Sequence, residues 1–306
     1  MSAIGIVIPT LGRHALLRRV LDRLDRQTAP QGSFEVVVVA DAKEERLDEI
    51  DRALEGRSFP ARRLRGPRPG ASAARNEGWR ALDSPLVLFV DDDILPEPEL
   101  VAQHLGWHDR HPQEEIGVLG HVRWADELDV TPFMRWLEHG IQFDYPNIDG
   151  EDAGWARFYT ANASVKRTVI ERVGGFEEER LPFGYEDLDL ALRMHEQTGF
   201  HLLYNRAAVA EHVHPMDLEF WKRRVARIAI SEREFVRMHP DFRPYFYELF
   251  SKAASDPRAN GRGERLARFV PRSLPVLGER VWSSADAVYR QALAGPFLEA
   301  WEAAGG

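Results

Sequence analysis

The chain has 306 residues, no cysteine and a formal net charge of −9. The acidic balance disfavours a dedicated nucleic-acid-binding protein, and the lack of cysteine excludes disulfides and thiolate metal sites. With 44% apolar and 29% charged residues, the composition is typical of a soluble globular protein. No apolar run reaches the roughly 20 residues of a membrane helix, and the N-terminal residues lack a signal-peptide layout. We therefore expect a protein of the cytoplasm or of the inner face of the membrane.

The first hundred residues alternate between apolar runs and helical patterns. Residues 4–10 and 34–40 are predicted strands, and the spacing of the leucines between them predicts a helix over 14–27. A strand, a helix and a strand within about 40 residues form a parallel crossover unit. The alternation continues with a helix, a short strand, the opening of a helix and a buried strand, over 43–57, 62–64, 70–79 and 85–90. This order predicts an α/β fold.

Polar side chains follow three of the predicted strands. Thr10 ends the first, Asp41 follows the second, and Asp91, Asp92 and Asp93 follow the third apolar run. Ligands of open parallel sheets bind at the carboxyl ends of the strands. Three adjacent carboxylates repel one another and resist desolvation, and a divalent cation would offset both effects. The alternative is an acidic turn that leads into a helix N-cap.

A second group of carboxylates lies at the start of a predicted helix. Glu186 and Asp187 occupy its first turn, where the helix dipole favours negative charge. They act there either as helix caps or as a general base presented at a helix N-terminus. His212 and His214 follow on a segment that points both side chains to one side if it is extended. Either histidine could bind a metal, and a surface role is the alternative.

The middle and the end of the chain are less regular. An aromatic-rich stretch over 123–159 suits either a core or a sugar-binding face. A long amphipathic helix is predicted over 218–238. The remaining residues predict two short helices that dock on the body of the protein, on a partner subunit or on a bilayer surface.

The order of these motifs resembles that of the family 2 glycosyltransferases, which have the GT-A fold. The resemblance covers about residues 4–215. Its motifs are the first strand through Thr10, Asp41, and the segments 70–78, 90–96, 160–162, 174–176 and 184–193, followed by His212. It implies a Rossmann-like sheet, mixed but mostly parallel, flanked by helices and followed by a C-terminal helical extension. The implied division is a nucleotide-sugar-binding half over 1–110, an acceptor and catalytic half over 111–217, and the extension over 218–306.

The resemblance also implies which residues would hold the donor. Asp41 would contact the nucleobase. Asp91 and Asp93 would form a D-x-D pair, the first close to the ribose or the metal and the second a direct metal ligand. His212 would complete the metal site, with His214 in reserve. The other implied donor-binding positions are Pro9, Thr10, Arg13, Arg75, Asn76 and Asp92.

Across from the donor, Asp187 in the Glu186-Asp187 pair would be the catalytic base, and Asn162 and Tyr185 would contact the acceptor. The family implies an inverting enzyme that uses Mn²⁺ or Mg²⁺ and a nucleoside diphosphate sugar, with a UDP-sugar favoured and a GDP-sugar as the alternative. The acceptor would be a saccharide, a lipid-linked molecule or a small molecule. The C-terminal helices would touch a membrane peripherally or a second copy of the chain. Since the Gln-x-x-Arg-Trp signature of processive synthases is absent, we expect transfer of single sugars.

Two other functions are compatible with the sequence. A nucleotidylyltransferase on a related sheet would release pyrophosphate from a nucleoside triphosphate, but no glycine-rich basic phosphate loop follows the first strand. A non-catalytic nucleotide-sugar-binding subunit would keep the fold and lose activity. The presence of Asp91, Asp93, Asp187 and His212 disfavours that reading.

Overall fold

The computed structural model describes residues 2–181, 183–259 and 262–305. The chain divides into two compact units. The sheet unit contains the residues up to 128 together with 147–178 and 186–214, and the helical unit contains 129–146, 179–185 and the residues from 215 onward. The helical unit thus takes two segments from the middle of the sequence in addition to the predicted extension. Residues 1, 182, 260, 261 and 306, which the predicted division includes, lie outside the described residues.

The sheet unit is built on a sheet that has eight strands within the described ranges, in the order β3-β2-β1-β4-β7-β6-β8-β5. The strands are β1 Ile4–Thr10, β2 Phe34–Ala40, β3 Ala61–Arg65, β4 Leu86–Val90, β5 Ile94–Pro96, β6 Ile116–Trp124, β7 Asn162–Lys166 and β8 His201–His212. The pairs β1–β2, β2–β3, β1–β4 and β6–β8 are parallel, and β4–β7, β6–β7 and β5–β8 are antiparallel. The predicted mixed, mostly parallel sheet is confirmed.

In the sheet unit, helices pack on the sheet through apolar side chains. The helices of both units are α1 His14–Leu24, α2 Leu47–Leu54, α3 Ala71–Arg80, α4 Leu100–Arg110, α5 Pro132–Leu137, α6 Arg167–Val173, α7 Glu186–Thr198, α8 Leu218–Met238, α9 Tyr245–Ala253, α10 Arg262–Ala267 and α11 Leu277–Ala303. In α1 the buried residues Leu17, Val20, Leu21 and Leu24 recur at helical spacing. In α3, Gly78 allows the helix to lie directly on β1, because a methyl group there would collide with Val7.

The helical unit contains α5 and α8 to α11. The prediction of two short C-terminal helices was wrong, because α11 is a single helix of 27 residues that continues through Pro296. Contacts within the unit hold the helix beyond this proline: Trp301 stacks on Tyr247, and its carbonyl oxygen accepts a hydrogen bond from Arg233 at 2.6 Å. Among the described residues, no helix is long and apolar enough to cross a bilayer.

Candidate active site

The carboxyl ends of three neighbouring parallel strands meet at one edge of the sheet. β1 pairs in parallel with β2 on one side and with β4 on the other. Thr10 ends β1, and Asp41 and Asp91 are the residues that follow β2 and β4. The parallel pairing therefore brings these three positions to the same edge.

Asp41 ties the end of β2 to the turn before α3. Its Oδ1 accepts a hydrogen bond from the backbone N of Lys43 at 2.8 Å, and its Oδ2 accepts one from the backbone N of Gly70 at 2.7 Å. Gly70 has a φ of 118°, which favours glycine. Both carboxylate oxygens thus have backbone donors, which fix the side chain at the sheet edge.

Asp92 and Asp93 are paired with side chains from the end of β1 and the turn that follows it. Thr10 Oγ1 donates to Asp92 Oδ2 at 2.7 Å, and Arg13 Nη1 donates to Asp92 Oδ1 at 3.0 Å and also to Asp93 Oδ2. Both aspartates are buried, whereas the Arg13 side chain is 44% exposed. A solvent-accessible guanidinium thus stands against two buried carboxylates.

The turn that carries Arg13 is held by Glu44, a residue that the sequence reasoning missed. Glu44 accepts hydrogen bonds from the backbone N of Gly12 at 2.6 Å and of Arg46 at 2.8 Å, and it lies 3.2 Å from His14 Nε2. Burial acts to raise the pKa of Glu44, but these donors lower it overall. The signal that could have found it is a carboxylate placed shortly after the end of a buried strand.

Arg75 joins two carboxylate groups that are far apart in the sequence. Its Nη2 donates to Asp91 Oδ1 at 2.9 Å, and its Nη1 donates to Glu186 Oε1 at 3.2 Å. Arg75 is 4% exposed. Burial alone would lower the pKa of this guanidinium, but the charges of Asp91 and Glu186 raise it. Arg75 therefore stays charged and holds the two carboxylates on either side of it.

Glu186 and Asp187 form the first turn of α7, as predicted from the sequence. Asp187 Oδ1 accepts a hydrogen bond from the backbone N of Leu188 at 2.9 Å. Burial and the charge of Glu186 raise the pKa of Asp187, against the opposing charge of Arg75. A carboxylate with a raised pKa accepts a proton more readily than an ordinary aspartate, which suits a general base.

These residues form the strand-end cluster, which consists of Thr10, Arg13, Arg75, Asp91, Asp92, Asp93, Glu186 and Asp187. Burial raises the pKa of Asp92 to about 7, with Asp93 adding to the shift and Arg13 and Thr10 opposing it. Burial and Asp93 also raise the pKa of Asp91, whose side chain is 31% exposed and therefore partly screened by solvent. The cluster thus contains five carboxyl groups but only two guanidinium groups to pair with them.

His212 lies beside Asp93 in the backbone. It is paired with Ile94 in the β5–β8 ladder, and the backbone N of Val213 donates to the carbonyl oxygen of Asp93 at 3.1 Å. The ring centroid of His214 is 6.4 Å from that of His212. Within the described ranges, no three Asp, Glu or His side chains are arranged to hold a metal ion. The chemistry of Asp91 and Asp93 nevertheless fits Mn²⁺ or Mg²⁺, because these cations prefer carboxylate oxygens, and His212 would add an imidazole nitrogen.

Asn76, predicted to bind the donor, is fully engaged by the protein. Its Nδ2 donates to the carbonyl oxygen of Phe176 at 2.9 Å and to Glu178 at 2.7 Å. Its Oδ1 accepts from Trp79 Nε1 at 2.8 Å and from the backbone N of Phe176 at 2.9 Å. Gly175 has a φ of 87°, and a methyl group there would collide with this oxygen. In this structure Asn76 holds α3 to the turn after α6.

Asn162, predicted to bind the acceptor, lies in a second buried polar group that we call the histidine cluster: His104, His108, Asn162 and Ser164. The two nitrogens of His104 lie 2.8 Å from Ser164 Oγ and 2.9 Å from Asn162 Oδ1. His108 Nε2 also lies 2.8 Å from Ser164 Oγ, and Asn162 Nδ2 donates to the carbonyl oxygen of Ala208 at 2.9 Å. These contacts give Asn162 a packing role within the sheet.

The two remaining predicted site residues are Pro9, predicted to bind the donor, and Tyr185, predicted to contact the acceptor. Pro9 lies in β1, paired with Val39, one residue before Thr10. Tyr185 belongs to the helical unit and directly precedes Glu186 in the chain. Its φ is 68°, and its hydroxyl donates to the buried carboxylate of Glu232. A non-glycine residue in this conformation needs such a contact to hold it.

Comparison with known proteins identifies relatives of the chain. Residues 5–212 match the model of glycosyl transferase family 2. A validoxylamine A glucosyltransferase of Streptomyces hygroscopicus subsp. limoneus is 28% identical over an alignment of 285 positions, and the match covers 81% of this chain and 58% of the relative. A glucosyl-dolichyl phosphate glucuronosyltransferase of Haloferax volcanii is 24% identical over an alignment of 188 positions, and the match covers 58% of this chain and 59% of the relative. The chain thus spans a little under two thirds of the length of these relatives.

Solved structures resemble the whole chain. A mannosyltransferase of Pyrobaculum calidifontis, in complex with GDP-Man and Mn²⁺, superimposes on this chain with a TM-score of 0.65 at 18% identity. The superposition covers 97% of this chain and 85% of the mannosyltransferase chain. TarS of S. aureus, in complex with UDP-GlcNAc, gives a TM-score of 0.55 at 14% identity and covers 99% of this chain and 91% of its own. Together with the family match, the sheet order and flanking helices show that the chain belongs to glycosyl transferase family 2 and has the GT-A fold.

Proposed function

We propose that this glycosyltransferase moves one sugar from a nucleoside diphosphate sugar to an acceptor hydroxyl, with inversion at the anomeric carbon and with the assistance of Mn²⁺ or Mg²⁺. The observation that carries the proposal is the position of Arg75 between Asp91 and Glu186. This one side chain links the acidic end of β4 to the start of α7, where Asp187 lies. A donor at the strand ends would therefore lie close to a proton acceptor.

On the donor side, we assign the following roles. Asp41 would contact the nucleobase, and Pro9, Thr10 and Arg13 would line the nucleoside pocket. Mn²⁺ or Mg²⁺ held by Asp91, Asp93 and His212, with His214 in reserve, would neutralise the charge that develops on the leaving diphosphate. Arg13, whose side chain is 44% exposed, would move from Asp92 and Asp93 to the diphosphate of the donor.

On the acceptor side, Asp187 would remove the proton of the attacking hydroxyl. The hydroxyl is a poor nucleophile, and a positioned base raises its reactivity as the bond to the sugar forms. Attack from the face opposite the diphosphate inverts the anomeric centre. Glu186 would keep the proton affinity of Asp187 high, and Tyr185 would contact the acceptor. Asn76 and Asn162 would act indirectly, by holding the elements that carry the site.

The similar structures and relatives favour particular substrates. One structural neighbour is in complex with GDP-Man and Mn²⁺, and another is in complex with UDP-GlcNAc. Both nucleotides are therefore candidates for this chain, whereas the resemblance favoured a UDP-sugar and gave a GDP-sugar as the alternative. The names of the relatives include a glucosyltransferase of a small molecule and a glucuronosyltransferase of a lipid-linked sugar. These favour a hydroxyl of a small molecule, a saccharide or a lipid-linked glycan as the acceptor.

The test is calorimetric titration of the chain with GDP and with UDP, each with and without MnCl₂. We expect one nucleotide to bind, and to bind more tightly with Mn²⁺. Asp93→Asn should remove most of the gain from Mn²⁺, whereas Asp109→Asn, an exposed carboxylate on α4, should keep it. If neither nucleotide binds under any condition, or if Asp93→Asn keeps the full gain, the proposed donor site is wrong.

A further inference from the structure

The exposed apolar side chains of the chain are concentrated in one segment. Nine large apolar side chains are exposed among the described residues, and five of them lie within twelve consecutive positions of the helical unit. They are Leu266, Phe269, Leu274, Val276 and Leu277, which are 48%, 78%, 43%, 63% and 50% exposed. Single exposed apolar residues are ordinary on a protein surface, but a concentration of this kind marks an interaction surface.

The same segment is basic, although the chain is acidic. Residues 262–280 contain five arginines and two glutamates, against a formal net charge of −9 for the chain. The arginines are Arg262, Arg265, Arg268, Arg272 and Arg280, and all five are exposed. We call residues 262–280 the basic apolar surface. Its composition, large apolar side chains interspersed with arginine, is that of segments that bind membrane interfaces.

Contacts with the start of α11 hold the basic apolar surface in place. Trp282 Nε1 donates to the carbonyl oxygen of Val270 at 2.8 Å, and the Arg272 guanidinium lies 4.4 Å from the centre of the Trp282 ring. A methyl group at Gly278 would come within 2.6 Å of the carbonyl oxygens of Pro271 and Arg272, so the connection between α10 and α11 lies directly on the start of α11. Contacts on its buried side hold the segment in place, and the apolar side chains on its other side are exposed to solvent.

We propose that the basic apolar surface docks on the headgroup region of an anionic lipid bilayer. Charge complementarity selects this occupant, because the arginines would pair with lipid phosphates while the apolar side chains enter the boundary with the acyl chains. A second copy docked through the same surface would place arginines against arginines. No helix within the described residues could cross a bilayer, so the contact is interfacial. The docking is independent of which sugar is transferred.

Co-sedimentation with lipid vesicles tests the proposal. The full chain is mixed with vesicles of phosphatidylcholine alone or of phosphatidylcholine with phosphatidylglycerol. We expect binding to the anionic vesicles, weaker binding to the neutral ones, and loss of binding as salt is added. Arg265→Gln and Arg280→Gln should each weaken binding to anionic vesicles by about fivefold. The double variant Phe269→Glu, Leu274→Glu should weaken it by about tenfold or more.

The control is Ile230→Glu on α8, which changes an apolar residue of 43% exposure outside the basic apolar surface. This control variant should bind vesicles as the unchanged chain does. Thermal unfolding should show that the double variant Phe269→Glu, Leu274→Glu is folded. No binding to anionic vesicles, or binding that the Phe269 and Leu274 substitutions leave intact, overturns the proposal. So does a dimer in sedimentation velocity that these substitutions dissociate while the vesicles bind nothing, since the occupant would then be a second copy.

Discussion

Two buried polar groups of the sheet unit differ in how they treat charge. The histidine cluster is neutral, because burial lowers the pKa of His104 to about 4 and that of His108 to about 2. The strand-end cluster brings five carboxyl groups close together, and burial raises the pKa of Asp92 to about 7. In the first, hydrogen bonds engage both nitrogens of His104, Nε2 of His108 and the side chains of Asn162 and Ser164, and among the described residues of the cluster only His108 Nδ1 has no partner. The second holds more carboxylates than its guanidiniums balance, which is the condition in which a cationic or proton-donating ligand is bound.

The difference separates packing from function among buried polar residues. A buried polar group is tolerated in a core when hydrogen bonds satisfy it, and it then specifies how the elements pack. A buried carboxylate beside other carboxylates destabilises the fold unless something else offsets the repulsion. Residues of the second kind are the stronger functional candidates. The following substitutions test this distinction, beginning with the largest expected effect.

Asp187→Asn should lower turnover by about 10²- to 10⁴-fold, because the amide cannot accept the proton of the acceptor hydroxyl. Sugar transfer or donor hydrolysis measures the loss. The matched control is Asp189→Asn in the same helix. Asp189 is fully buried and pairs with Arg193 at 2.7 Å, so its loss should destabilise the protein but leave the turnover of folded molecules unchanged. Equal turnover losses in the two variants would contradict the assignment of Asp187.

Arg75→Met should lower the free energy of unfolding by about 2–3 kcal/mol, because it removes the buried cation that pairs with the partly buried Asp91 and Glu186, whose exposure reduces the cost of a fully buried pair. Urea unfolding measures the change. Arg13→Met removes the other guanidinium of the strand-end cluster, but its side chain is 44% exposed and Asp92, with a pKa of about 7, can take up a proton in its place, so the loss should be smaller than for Arg75→Met. Similar losses for both variants would show that burial does not distinguish the two arginines.

The histidine cluster should make the protein sensitive to acid. Because the folded state holds His104 neutral with a pKa of about 4, the unfolded chain binds the proton first as the pH falls. The stability from this residue is complete above its unfolded pKa, and about 2 kcal/mol of it is lost by pH 5. Urea unfolding at pH 7 and pH 5 should show this loss in the unchanged chain and a smaller loss in His104→Gln. His201→Gln, at the partly exposed start of β8, should leave the loss as it is, and a loss in His104→Gln as large as in the unchanged chain would contradict the assignment.

Asn76→Ala should lower the free energy of unfolding by about 1–3 kcal/mol, because it leaves the buried N–H of Phe176 without an acceptor. The Michaelis constant for the donor should change little if Asn76 acts only by holding α3. A rise in that constant with unchanged stability would instead restore the direct donor contact that the sequence suggested.

The local pattern of apolar residues in the sequence predicted most of the fold, since β1, β2 and β4 are apolar runs and the apolar residues of α1 recur at helical spacing. It did not predict β7, because the polar residues Asn162 and Ser164 in that strand are satisfied by histidines about 60 positions away. It likewise predicted two helices where α11 is continuous, since local propensity at Pro296 cannot include the tertiary contacts beyond it.

For the candidate site too, the local sequence predicted some features, and only the folded chain showed the contacts between distant residues. The carboxylates at the strand ends were visible because parallel strands align their carboxyl ends. The sequence could suggest that Arg75 and Glu186 serve the same site, but not that they touch, because 111 positions separate them and only the folded chain joins them. Asn76 and Asn162 were predicted to lie in the site because they belong to matching motifs. The position of a residue in a motif does not show which groups its side chain hydrogen-bonds.

The measurement that tests the central claim most directly is the pH dependence of kcat/KM for the unchanged chain and for Glu186→Gln. Asp187 must be ionised to accept a proton, so activity should fall as the pH falls through its raised pKa. Removal of the Glu186 charge should lower that pKa, so the acid limb of Glu186→Gln should move to lower pH. An acid limb at the same pH in both proteins, or activity without any acid limb, would contradict the claim that Asp187 beside Glu186 is the base.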